Sequence, residues 1–278
     1  MPNKTVPVFI IGSGRSGTRM LFRLLSGHEH IEVYHEYLCT HIQPVACKYF
    51  MGFFNDKQTK EEINHLHGAG IYYSKAKYWI DCSNKLSWIV KPLYDMFPQA
   101  KFIHVMRDGR KVTSSYFHKL SPEIYDDVSV RAMQNWLKNP KKYPEPPPEK
   151  KYWWNIPQKN QPHHEDFPCF DQYQRICYHW NQVLTTIEKS LSVIPKKQKM
   201  TVKLEDLTKN KEIFSQFLSF IDIEYTDDMF TYMQRPQNVF VPMDFSLNKK
   251  QLQQFEEIAG DTLRKCGYLD KEVYTVQY

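Results

Sequence analysis

Apolar runs and helical periodicities alternate along this chain of 278 residues. Val6–Ile11 and Lys101–Met106 are short and mostly apolar, as expected of strands that are buried on both faces of a sheet. Thr18–Leu25 and Gln172–Leu191 instead carry their apolar side chains at helical spacing. This alternation predicts a single α/β domain with a central, mainly parallel sheet flanked by helices.

Weaker segments fit the same alternation. Asp108 is a suitable N-cap for a helix that runs to about Leu120, and Gly267 is suited to end the last helix. We predict further strands at residues 31–34, 78–82 and 200–204, and further helices at residues 85–97, 209–221 and 248–265.

Residues 121–170 interrupt this pattern. The segment holds most of the prolines, including the run P-E-P-P-P at residues 144–148, and the tryptophans Trp136, Trp153 and Trp154. It shows no clear periodicity, so we interpret it as a long insertion outside the regular layers of the core. Long irregular segments of this kind are often functional, which makes a lid or acceptor-binding wall one interpretation and a passive excursion the other.

Composition narrows the class of protein. The formal net charge of +6 suits an anionic small ligand or a nucleic acid, but the basic residues form no continuous patch interleaved with aromatics. Basic pairs such as Lys150 and Lys151 are interpreted as solvated loop charge. We therefore expect no nucleic-acid partner, and the oligomeric state stays open.

The expected location is the cytoplasm. The six cysteines form no C-x-x-C pair, which disfavours a zinc site or a disulfide framework and favours a reducing compartment. No apolar run has the length needed to span a bilayer. A first strand at Val6–Ile11 is expected to leave no room for a signal peptide or a membrane anchor.

A glycine-rich turn follows the first strand, with the sequence G-S-G-R-S-G-T-R at residues 12–19. Glycines after a buried strand let backbone N–H groups converge on a phosphate at the N-terminus of the next helix. Their spacing also satisfies a dinucleotide fingerprint, for which Glu32 and Glu36 are available to bind a ribose. An ATP-type P-loop requires a lysine where Thr18 stands. Spacing alone therefore predicts an anion-binding turn without identifying the ligand.

A second motif lies about 90 residues further on, where the strand at Lys101–Met106 ends. It contains R-D-G-R at residues 107–110 and Ser115, eight positions after Arg107. Basic residues in the first turn of a helix oppose its dipole, and a bound anion removes that objection. The motif thus predicts a second anion site.

The two motifs together resemble the donor site of sulfotransferases that use 3′-phosphoadenosine-5′-phosphosulfate (PAPS), particularly the carbohydrate and protein-tyrosine branches. R-S-G-T at residues 15–18 is similar to the 5′-phosphosulfate loop, and R-D-G-R with its serine is similar to the 3′-phosphate site. The resemblance implies a P-loop-like fold and the product 3′,5′-adenosine bisphosphate (PAP). It implies donor binding by Gly14, Arg15, Ser16, Gly17, Thr18, Arg19, Arg107 and Ser115.

The same resemblance implies the catalytic residues. Tyr-His-Glu-Tyr at residues 34–37 falls where the tyrosylprotein branch carries a catalytic glutamate, and Lys85 follows Asn84 as in that branch's pair beside the sulfuryl group. Arg15 and Lys85 would neutralise the leaving bridge oxygen and the sulfuryl oxygens. Glu36 is the expected base, with His35 as the alternative. If the segment is extended, only one of the two can face the site, because neighbours in a strand face opposite ways.

The resulting hypothesis is a sulfotransferase that acts on a hydroxyl or amine of a small-molecule acceptor. The donor carries no triphosphate, so no metal is expected. The alternatives are an ATP-dependent small-molecule kinase on a P-loop fold and a non-catalytic nucleotide- or RNA-binding protein. A guanidinium-bearing alkaloid is a candidate acceptor, because the insertion offers aromatic and acidic side chains for stacking and cation–π contact. These side chains are Trp136, Trp153, Trp154, Asp126, Asp127, Glu165 and Asp166.

Overall fold

The protein is built on one parallel sheet. A computed structural model describes residues 5–235 and 245–268. The strands are β1 Val6–Ile11, β2 Ile31–His35, β3 Tyr78–Cys82, β4 Lys101–Met106 and β5 Lys199–Lys203. They lie in the order β2-β3-β1-β4-β5, and every neighbouring pair is parallel. The predicted α/β fold with a central parallel sheet is confirmed.

Strand β1 occupies the middle of the sheet and is buried on both faces. Its neighbours are β3, where Val8 lies opposite Ile80, and β4, where Ile10 lies opposite Ile103. Val8 and Ile10 pack into the core on one face, whereas Phe9 packs into the core on the other. Burial on both sides explains why the strand is apolar at successive positions instead of alternating.

Helices cover both faces of the sheet. Within residues 5–235 and 245–268, no helix combines the length and hydrophobicity needed to cross a bilayer. The helices are α1 Thr18–Leu25, α2 Cys39–Phe50, α3 Asp56–Ile63, α4 Ala69–Tyr73, α5 Val90–Met96, α6 Gly109–Leu120, α7 Asp127–Lys138, α8 Gln172–Leu191, α9 Leu204–Lys209, α10 Lys211–Phe220, α11 Asp227–Gln234 and α12 Lys249–Lys265. Helices α1, α10 and α11 pack on one face, and α2, α5, α6, α8 and α12 on the other.

Helix α6 begins as its sequence predicts. The Asp108 carboxylate accepts a hydrogen bond from the backbone N–H of Arg110 at 2.9 Å and so caps the helix. A Cβ atom on Gly109 would lie 2.6 Å from Trp180 and 2.7 Å from Phe255. Glycine at this position therefore lets the start of α6 approach α8 and α12 closely. The glycine of R-D-G-R has a packing role.

The helix predicted at residues 85–97 is two pieces. Lys85–Trp88 forms a 3₁₀ turn, and α5 begins only at Val90. Pro92 has no N–H to donate to the carbonyl four residues earlier, so a continuous helix loses a bond there and Pro92 is tolerated only in a new first turn. The 3₁₀ turn is also tied to β1, because Ser87 Oγ donates to the carbonyl of Gly12 at 2.8 Å.

Residues 121–170 contribute to the core, which the lack of clear periodicity did not indicate. The segment contains the amphipathic helix α7, whose Trp136 stacks on Phe53 with ring centroids 4.8 Å apart. Trp153 is only 1% exposed and belongs to the main core. Periodicity detects regular elements, whereas aromatic side chains in an irregular chain can pack without it. The insertion is therefore part of the domain's main core.

Candidate active site

The carboxyl ends of all five strands meet at one cleft. The loop at residues 12–17 follows β1, Glu36 follows β2, Lys85 follows β3, Arg107 follows β4 and Glu205 follows β5. Each contributes to the lining of a cleft of about 860 Å³. Open α/β sheets bind their ligands at this edge, where the strand order reverses about β1.

The loop after β1 is built to present backbone N–H groups. Gly14 and Gly17 adopt positive φ angles of 77° and 101°, which favour glycine. Gly17 precedes α1 without a side-chain cap, and the buried Ser16 hydroxyl has no partner among the described residues. The loop is fixed from behind, because Tyr116 Oη donates to the carbonyl of Ser13 at 2.9 Å. A preformed loop with unsatisfied donors at a helix N-terminus is suited to a phosphate.

The two sequence motifs meet in space. Arg15 Nε donates to Ser115 Oγ at 3.0 Å, and Arg107 Nη1 donates to the carbonyl of Arg15 at 2.8 Å. Arg15 thus lies at the junction of the two predicted anion sites and can reach either one. Of the residues predicted to bind the donor, Ser16 and Ser115 lie behind the cleft surface, at 0% and 1% exposure. The others line the cleft: Gly14, Arg15, Gly17, Thr18, Arg19 and Arg107.

The cleft is strongly cationic. Among the described residues, ten basic and four acidic side chains line it. Such a surplus inside a concave site favours a polyanionic ligand. The basic residues are Arg15, Arg19, Lys85, Arg107, Lys111, Lys119, Lys150, Lys151, Lys209 and Arg235, and the acidic ones are Glu36, Glu123, Glu149 and Glu205.

Lys85 carries its charge into a buried position. The residue is 5% exposed, and its Nζ lies 5.7 Å from the centroid of the Trp154 ring. Burial, together with the nearby Lys150, lowers the pKa of Lys85 to about 8. The ammonium form prevails at neutral pH but titrates in a range where most lysines do not. An anion bound beside it would restore the usual preference for the charged form.

The turn after β2 places both candidate bases in the cleft. Glu36 has a φ of 54°, so the chain leaves the extended conformation there, and His35 and Glu36 both line the cleft. The condition under which only one of them could face the site, an extended segment, is therefore not met. The next N–H, that of Tyr37, donates to Asp81 Oδ1 at 3.2 Å. Asp81 Oδ2 in turn lies 3.4 Å from His67 Nε2, and this fully buried pair supports the turn.

Glu36 has a basic partner that the sequence did not identify. Lys150 Nζ donates to Glu36 Oε2 at 2.9 Å, so the insertion reaches directly into the site. Burial opposes ionisation of Glu36, but Lys85 and Lys150 outweigh it and lower the pKa of Glu36 to about 2. Burial lowers the pKa of His35, although Glu36 raises it. Lys150, interpreted from sequence as solvated charge, instead pairs with the candidate base.

The acceptor side differs from its prediction. Trp154 lines the cleft, but Trp136 and Trp153 are buried in the core and cannot stack on a ligand. Asp126 caps helix α7, and Asp127 pairs with Arg175 at 2.6 Å. The four carboxylates expected at the acceptor do not line the cleft. These carboxylates are close to the tryptophans in the sequence, but in the fold they lie outside the cleft.

The geometry of the described residues gives little support to a dinucleotide site or to a metal centre. Glu32, its first ribose ligand, accepts hydrogen bonds from Tyr34 and Ser74 and does not line the cleft. Glu36, the other candidate, is paired with Lys150. Over residues 5–235 and 245–268, no group of three or more His, Cys, Asp or Glu side chains is placed to hold a metal ion.

A cationic cleft at the carboxyl edge of a parallel sheet, with a glycine loop opening onto α1, defines a P-loop-like transferase. The model of the Sulfotransferase family matches residues 7–145, half of the chain, and spans the loop, Glu36, Lys85 and the 107–115 motif. The chain therefore belongs to the sulfotransferase family, and it is an enzyme that transfers sulfuryl groups. No curated protein matches its sequence.

Solved sulfotransferase structures are similar to this chain at low sequence identity. Sulfotransferase STF9 from Mycobacterium avium shares 10% identity, with a TM-score of 0.52 over 97% of this chain and 78% of that chain. The sulfotransferase from Alicyclobacillus acidocaldarius shares 17% identity over 98% and 97% of the two chains, with a TM-score of 0.48. Mouse sulfotransferase SULT7A1 in complex with PAP shares 12% identity over 95% and 88%, with a TM-score of 0.42. The similarity to STF9 supports the fold.

Proposed function

We propose that the protein transfers the sulfuryl group of PAPS to a hydroxyl or amine of a small-molecule acceptor. The observation that carries this proposal is the contact of Arg15 with both Ser115 and Arg107. It joins the glycine loop to a second cationic site, and a donor with phosphates at both its 5′ and 3′ ends requires two such sites. An ATP-type ligand requires only the first.

The residues of the chain fit this donor. Bound PAPS supplies a sulfuryl group that is activated by its link to a phosphate leaving group. Positioning and neutralisation of charge are then the main tasks of the protein, as in phosphoryl transfer. We assign the neutralisation to Arg15 and Lys85, and the removal of the acceptor proton to Glu36, with His35 as the alternative. All four line the cleft.

We place the acceptor against the insertion. Ile124, Lys150 and Trp154 belong to it and line the cleft beside Glu36 and Lys85. Residues 121–170 then act as an acceptor-side wall of one sulfotransferase domain. A guanidinium-bearing alkaloid loses most of its support, because the predicted carboxylates lie elsewhere and Lys85 already sits over the Trp154 ring.

A cytoplasmic location is part of the proposal. The six cysteines are free thiols, which agrees with a reducing compartment. Cys47, Cys82 and Cys177 are buried in the domain, where a disulfide partner would have to be accommodated within the core.

Recognition of the 3′-phosphate tests the donor assignment. Arg107→Ala is expected to weaken PAP binding about 10–100-fold, the value of one charge-assisted hydrogen bond, while binding of 5′-AMP changes little. Calorimetry on both nucleotides measures the difference. Arg107 also supports the Arg15 carbonyl, so Arg107→Lys serves as the matched control that retains charge. Equal affinity of the native protein for PAP and 5′-AMP would contradict the proposed donor.

Turnover without a metal separates this proposal from the kinase alternative. Arg15, Lys85 and the loop N–H groups supply positive charge where a kinase uses Mg²⁺. Transfer of labelled sulfate from PAPS is therefore expected to continue at an unchanged rate in excess chelator. A strict requirement for Mg²⁺, together with phosphate transfer from ATP, would favour the kinase instead.

A further inference from the structure

The ion pair between Lys150 and Glu36 joins an anchored backbone to a movable side chain. Gln43 Nε2 donates to the carbonyls of Lys150 at 3.1 Å and of Trp153, which fixes the chain on both sides of this stretch. The Lys150 side chain is nevertheless 44% exposed, against 17% for Glu36. The ammonium can therefore leave Glu36 by rotation of its own side chain, without movement of the insertion.

Glu36 is a weak base while this pair persists. Burial by itself would raise its pKa, and the cations reverse that effect. When Lys150 departs, one of the two cations is lost and the balance shifts towards a stronger base. The charged or titratable groups around Glu36 are Lys85, Lys150, His35, Asp81 and Tyr116.

The charge of the acceptor decides whether Lys150 can leave Glu36 and whether its departure makes Glu36 a stronger base. A cationic acceptor could displace Lys150, but it would put another cation on Glu36 and keep that carboxylate a weak base. A neutral acceptor gives Lys150 no new partner. An anionic acceptor offers Lys150 a replacement for Glu36, and so leaves the base unpaired at the moment it is needed.

We propose that the acceptor carries an anionic group within reach of the Lys150 side chain, and that Lys150 determines this specificity by passing from Glu36 to that group. The inference rests on the proposed function. The acceptor hydroxyl gives its proton to the Glu36 carboxylate, and its oxygen electron pair forms a bond to sulfur. The bond from sulfur to the bridging phosphate oxygen breaks, and its electron pair leaves with PAP.

Two acceptors on one scaffold test this inference. 4-Hydroxyphenylacetate and tyramine share a phenol and differ in the charge of the side chain, so both present the same nucleophile to Glu36. In the native protein, kcat/KM with saturating PAPS is expected to be about 10–100-fold higher for the acid, the value of one charge-assisted hydrogen bond. Lys150→Met is expected to abolish this preference and to speed neutral p-cresol, because Glu36 is then unpaired.

Lys151→Met is the matched control. Lys151 is the next residue, also lines the cleft, and lies with its Nζ over the Tyr152 ring. This variant is expected to keep the preference for the acid, which excludes a general effect of lowering the positive charge.

Several results would overturn the inference. They are equal rates for the two native substrates, no turnover of the acid, and a preference that survives in Lys150→Met. Equal rates would also result if bound PAPS alone displaced Lys150 from Glu36. That outcome would contradict the inference as well, because the acceptor would then not determine the position of Lys150. PAP binding is measured on the same samples, and its absence would count against the proposed function.

Discussion

Replacing Lys85 by methionine is expected to lower kcat by about 10²–10³-fold, the usual effect of removing one preorganised group that stabilises charge in the transition state. Methionine keeps most of the length and apolar contact with Trp154 but removes the ammonium. PAP affinity is expected to change far less, because we assign Lys85 to the sulfuryl side of the site. Steady-state turnover and PAP calorimetry on the same variant separate the two effects.

The pH dependence of Lys85 gives a second observable for this prediction. Its pKa is lowered to about 8, so the charged form is lost as the pH rises through that value. The kcat/KM for PAPS, which follows the free enzyme, should fall above about pH 8. The corresponding decrease in kcat should occur at a higher pH, because the bound anion stabilises the ammonium form of Lys85. Lys85→Arg should abolish the decrease at high pH because arginine stays charged. If the decrease persists in that variant, another group is responsible for it.

Glu36→Gln is expected to lower kcat by about 10²–10⁴-fold, the usual value of general-base catalysis. Glutamine keeps the size of the side chain and can occupy the same turn, but it cannot take a proton. The donor site does not depend on the carboxylate, so PAP affinity should stay within about twofold of the native value. Turnover under saturating PAPS is the measurement, with calorimetry as the check on folding.

His35→Ala is the comparison that makes the assignment of the base decisive. His35 lies in the same cleft, with its ring centroid 5.9 Å from that of Phe22, so its loss should affect mainly local packing. An active Glu36→Gln enzyme together with an inactive His35→Ala enzyme would transfer the role of base to the histidine. Activity in both variants would mean that neither residue is the base.

The sheet and the donor side of the cleft could be predicted because their signals are local. A strand buried on both faces is apolar without interruption, as in Val6–Ile11. The residue types in the glycine loop and in R-D-G-R directly indicate the local backbone geometry and the local charge. Parallel strands place their carboxyl ends at one edge, which brings together two motifs about 90 residues apart, and Arg15 Nε contacts Ser115 Oγ there.

The acceptor side could not be predicted because it depends on contacts between distant segments. Helix α2 starts after Leu38 in a left-handed conformation and contains Pro44, so its local signals argue against a helix. Nothing in a pair of adjacent lysines shows that Lys150 meets Glu36, 114 positions earlier in the chain. Such contacts follow from how the insertion packs, and its aromatic residues pack without a period that a sequence can display.

The burial of the insertion bears on how acceptor specificity can be changed by evolution or by design. Shortening or exchanging residues 121–170 as a block would remove Trp136, Trp153 and Phe167 from the core and cost several kcal/mol for each large side chain. Point substitutions at cleft-lining positions outside the core, such as Glu123 and Lys150, leave that packing intact. New acceptors should therefore be reached by exchanging single side chains on a fixed backbone, and libraries confined to those positions should retain folded protein.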